Sequence, residues 1–134
     1  MTQYENTPRL RTLPGPARVQ LGAAAAWLLA GLALGLVMAA SGDHGLRSVH
    51  THVQLLGWVS LALTGLAYAA LPEAGRSRLA RWHVALHNLG LPVMMAALAA
   101  YLSGIAAAEP AIALGAAVST VGLLAFAVAV WRAL

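Results

Sequence analysis

The chain has 134 residues, of which 60% are apolar and 9% are charged. A water-soluble domain carries roughly 25% charged residues, so a chain this poor in charge needs lipid rather than water around most of its surface. It has no cysteine, which excludes disulfides, thiolate metal sites and cysteine nucleophiles.

Residues 1–18 are polar, with Pro8, Pro14 and Pro16 among Arg9, Arg11 and Arg18, and are expected to form a loosely ordered arm. Leu21 to Ala40 is an unbroken apolar run of 20 residues. At ~1.5 Å per residue it spans the ~30 Å hydrocarbon core of a bilayer. A secretory signal core is only ~7–15 residues long, so this run is expected to be a retained anchor. Three more runs follow at about 47–71, 79–103 and 111–131, separated by the loops 41–46, 73–78 and 104–110. The expectation is one all-α, integral membrane four-helix bundle over residues 19–134, with Pro92 kinking the third helix.

All eight basic residues are arginine, and the net charge is +4. Arg9, Arg11, Arg18, Arg76, Arg78, Arg81 and Arg132 fall on one side of this topology and Arg47 on the other. Short loops rich in arginine stay cytoplasmic, so both termini are expected in the cytoplasm of a cell whose inner membrane holds the protein. The charge thus reports topology, not nucleic-acid binding. Small residues at packing distance, Gly31 with Gly35, Gly57 with Gly65 and Gly115 with Ser119, suit close helix contacts where lipid supplies no hydrophobic drive.

Ionisable residues inside a span are costly and mark function by default. His50 and His52 stand near the outer end of the second helix, two positions and so ~200° apart. Their rings point to nearly opposite faces and do not easily grip one ion together. Neutral imidazole is an axial ligand for haem iron, and a bis-imidazole site takes one histidine from each of two helices. A histidine at a helix end also serves simply as an interfacial group bonded to water. Arg47 is placed to pair with a haem propionate, Gln54 to orient an imidazole, and Gly57 to leave room for a porphyrin face. His44, beside Asp43 in the outer loop, is expected to be solvated.

His83 and His87 are four apart and share a helix face, a spacing that also holds a single metal ion. The plainer expectation puts Trp82 and His83 at the cytoplasmic interface as polar-tipped anchors, with His87 bonded to a neighbouring helix beside Asn88. Trp27, Tyr68, Tyr101 and Trp131 are likewise expected as interfacial aromatics. The acidic residues Glu5, Asp43, Glu73 and Glu109 lie in loops or the arm, so no carboxylate relay crosses the membrane.

The order of residues from His50-Thr51-His52 through Gly57-Trp58, Tyr68 and Pro72 to Arg81-Trp82-His83 and Ser103-Gly104-Ile105 resembles the catalytic subunit of the haem–copper oxidases, most closely the cbb3-type. The resemblance covers residues 49–105. It implies that His50 and His52 are axial ligands of haem b. The family's copper site, with further histidines and a cross-linked tyrosine, has no counterpart here, so copper is not expected. The family's catalytic subunit is built as three arcs of four helices, and this chain resembles one arc. That implies a homotrimer with haem held between His52 of one copy and His50 of the next. The expected activity is electron transfer to a redox partner or binding of a diatomic gas. An assembly or structural subunit of a respiratory complex, or a minimal oxidase, is the alternative.

Overall fold

The computed structural model describes residues 13–134, and every long element in it is a helix. Helix α1 spans Gly15–Ser41, α2 spans Arg47–Ala70, and a short α3 spans Pro72–Arg76. Helix α4 spans Arg78–Leu102, and α5 spans Glu109–Trp131 after a 3₁₀ turn at Ala106–Ala108. Four of these helices are long and apolar enough to cross a membrane, and most of the surface of each faces outward.

Two boundaries differ from the sequence expectation. Helix α1 begins at Gly15, so Arg18 belongs to the helix rather than to an arm. Proline has no N–H to lose in a first turn, and Pro16 therefore fits there. The expected arm prolines and arginines at 8, 9 and 11 lie outside the described residues. The segment expected as a loop after residue 72 instead coils into α3, with Pro72 in its first turn. Leu71, forced out of the helical region by the following proline, breaks α2 from α3 at φ −116°, ψ 77°. Ser77 then caps α4 by accepting the Ala80 N–H at 3.0 Å. Pro92 lies inside α4, which continues on both sides of it.

Helices α1 and α2 are antiparallel neighbours in a regular register. A Cβ placed on Gly35 would lie 3.1 Å from the His50 ring, one on Gly31 2.8 Å from the Gln54 amide, and one on Gly57 2.8 Å from Trp27. The GxxxG pair of α1 therefore admits two polar side chains of α2 rather than its backbone. Helices α4 and α5 come closer still. A Cβ on Gly90 would meet the Gly115 carbonyl and the Ser119 nitrogen at 2.7 Å, and one on Gly115 would meet the Met94 nitrogen at 2.6 Å. Here glycine is required because backbone faces backbone.

Within α2, Val53–Val59 is a π-helical segment that starts directly after His52. Its closing bonds reach back five residues. The Ser60 N–H and hydroxyl both donate to the Leu55 carbonyl, the hydroxyl at 2.8 Å. Such insertions are rare and concentrate at functional sites.

Candidate functional site

Two groups of histidines lie at different levels of the structure. At the start of α2, His52 Nδ1–H donates to the Ser48 carbonyl at 2.8 Å. This bond fixes the ring and its tautomer, and it leaves Nε2 as a bare lone pair, the state in which histidine binds metal. His50 lies against Gly35 with its Nδ1 enclosed and unpartnered. The two rings thus have different surroundings, His50 on α1 and His52 half-exposed and tied to its own helix. Arg47 is exposed at the helix start.

Two supporting roles expected here are corrected. Gln54 makes no hydrogen bond to either ring; its amide is seated on Gly31 and its Oε1 is unpartnered. Gly57 does not leave a porphyrin-sized gap, because the Trp27 ring fills the space over it. Trp27 is accordingly a packing residue rather than an interfacial one. His44 is exposed and bonded to its own loop at the Gly42 carbonyl.

The second group is a polar cluster sealed between helices. Gln20, His83 and His87 are each 0% exposed, as is Tyr68. The expected interfacial positions of His83 and Tyr68 are therefore corrected. Trp82, 62% exposed, does face outward, and its neighbour His83 points inward because adjacent helix positions diverge by ~100°. His83 and His87 do not aim at a shared metal. Their Nε2 and Nδ1 atoms face each other at 3.3 Å, and no cluster of three or more metal-binding side chains exists among the described residues.

The proton positions in this cluster follow from one fixed point. Asn88 Nδ2 lies 2.8 Å from the Val84 carbonyl, which can only accept. The same amide nitrogen donates to Gln20 Oε1 at 2.6 Å. Gln20 must then turn its Nε2 toward Thr64 Oγ1 and His83 Nε2, each at 3.3 Å. An amide NH₂ only donates, so His83 Nε2 is bare. The His83 proton therefore sits on Nδ1, 3.0 Å from Tyr68 Oη. His87 Nδ1 also faces the bare His83 Nε2 and must be the donor of that contact. What remains is the Nε2 lone pair of His87, enclosed and without a partner, with the main chain of Leu56 in the π segment beside the ring. Phe126 of α5 closes the cluster, with ring centroids 5.4 Å from Tyr68 and 5.2 Å from His83.

Gln20, Thr64 and Tyr68 have no part in the site expected from sequence. The signal for Gln20 was an amide at the mouth of an otherwise apolar run, which needs a partner once it is out of water. No family model matches the chain, and no curated protein or solved structure compared with it is similar.

Proposed function

We propose that the protein is a four-span inner-membrane protein, with both termini in the cytoplasm, that binds haem b between copies of itself. The observation that carries this reading is the His52 ring. Its Nδ1–H is held by the Ser48 carbonyl at 2.8 Å, which leaves Nε2 oriented as an axial imidazole needs it. The filled space over Gly57 supports placing the porphyrin outside the protomer rather than within it. The second axial imidazole then belongs to a neighbouring copy, and we assign it to His50 in a trimer. Arg47, exposed one turn before His50, is the partner for a propionate. Bound there, haem supplies one-electron chemistry to a redox partner, or an open iron position for a diatomic gas. The protein's part is to orient the imidazole and to exclude water.

A cofactor-free scaffold is the second reading, favoured by the seating of Trp27 on Gly57. One experiment separates them. Protein purified in detergent from haem-replete cells is expected to show a Soret band that His52→Ala abolishes and His50→Ala reshapes, in particles of trimer mass. Absence of the band in the wild type refutes the haem reading. A band unaltered in both variants refutes this pair as ligands, and a monomer mass with haem bound refutes the shared site.

A further inference from the structure

The sealed cluster takes no part in haem binding as proposed above, yet it contains two imidazoles and a phenol in a hydrogen-bonded row. We propose that Tyr68, His83 and His87 form a proton-transfer chain whose resting polarity is set by the Gln20–Asn88 amide pair. Three features carry this. The row is continuous, with Tyr68 Oη to His83 Nδ1 at 3.0 Å and His83 Nε2 to His87 Nδ1 at 3.3 Å. Imidazole takes a proton on one nitrogen and releases one from the other, so it passes a proton without moving. The row is also polarised, because each ring carries its proton on Nδ1 and the free end is the bare Nε2 of His87.

The step balances in protons alone. Nε2 of His87 takes a proton from water, and the Nδ1 proton of His87 passes to Nε2 of His83. The Nδ1 proton of His83 passes to Oη of Tyr68, and the proton that Tyr68 held leaves to water. One proton enters and one leaves, and no electrons move. After transfer, His83 Nε2–H faces the Gln20 NH₂ group, donor against donor. The amide pair thus makes the transferred state the higher one and drives the row back to its starting polarity.

Around the row stand Gln20 of α1, Thr64 and the Leu56 main chain of α2, and Gly122 and Phe126 of α5. None is charged, so no fixed ion traps the proton. At the entry side, His87 Nε2 shares with His50 Nδ1 and Gln54 Oε1 the condition of an enclosed polar atom without a protein partner, a condition that internal water normally satisfies. At the exit side, a cleft of about 610 Å³ lined by Ala70, Leu71, Pro72, Glu73, Arg76 and Ala133 opens two residues beyond Tyr68.

The test uses the full chain in phospholipid vesicles, with a potassium diffusion potential set by valinomycin and a trapped pH dye. Proton flux at least tenfold above protein-free vesicles is expected. Tyr68→Phe, which keeps the ring and removes Oη, and His87→Gln are each expected to return it to the protein-free level. Wild-type flux no greater than that of protein-free vesicles overturns the proposal, as does flux unchanged in both variants. Nitrogen NMR of histidine-labelled wild type needs no variant to fold. Nδ1–H on both His83 and His87 is expected, and a proton on His87 Nε2 overturns the chain. The Soret band of the same sample reports the haem site separately.

Discussion

Replacing Gln20 with leucine isolates the energetic weight of the sealed cluster. The change keeps side-chain bulk and deletes three contacts: to Thr64 at 3.3 Å, to His83 at 3.3 Å and from Asn88 at 2.6 Å. Interhelical hydrogen bonds within membranes average ~0.6 kcal/mol and reach ~1.7. Three of them give about 2 kcal/mol, a factor of about 30 in the folding equilibrium. The penalty for orphaned partners adds little, because each keeps one other bond. Asn88 retains the Val84 carbonyl, Thr64 retains that of Leu61, and His83 retains His87. The new leucine recovers nothing by burial, since lipid is as apolar as the helix interface. Reversible unfolding in mixed detergent micelles, followed by helical circular dichroism, measures the loss. Leu29→Ala, at a side chain 66% exposed on α1, is the control and is expected to stay within ~0.5 kcal/mol. A Gln20→Leu cost as small as the control's refutes the cluster as a fixed hydrogen-bonded unit.

Two further outcomes follow from packing and topology. Gly115→Val places carbon 2.6 Å from the Met94 nitrogen, so α4 and α5 must separate; a loss of about 1–3 kcal/mol is expected in the same unfolding assay, typical of overpacking. Single cysteines at His44 and Ile105 are expected to react with an impermeant maleimide from outside the inner membrane, while one at Glu73 reacts only after permeabilisation; the reverse pattern refutes cytoplasmic termini.

Length and apolarity made the four long helices legible, because a span needs about 20 apolar residues and little else. The start of α1 was not, since Pro14 and Pro16 look like breakers until they are recognised as first-turn residues. The outer histidines were legible as costly groups in an apolar segment, and the Ser48–His52 bond lies within one helical turn of chain. The inner cluster was hidden for a different reason. It joins Gln20, Thr64 and Tyr68 to His83, His87 and Asn88, across separations of up to 68 positions. No local pattern reports a contact that only packing creates.

The π segment occupies middle ground, because its trace is present in the sequence but reads as noise on an α-helical template. Val49, Val53, Gly57 and Leu61 are all buried, in three successive steps of four. An α-helix turns ~40° too far at each such step, about 120° in all, and would carry Leu61 off the face that Val49 occupies. A wider i→i+5 turn absorbs the excess. The same widening separates the level of His52, which is tied to an α-helical carbonyl, from Thr64 and Tyr68, which face the sealed cluster. It also leaves the Leu56 main chain beside His87. An α-helical α2 would have to choose between burying Val49 and Val53 on α1 and turning Thr64 toward Gln20. The inserted residue lets one helix serve both the outer histidines and the inner ones.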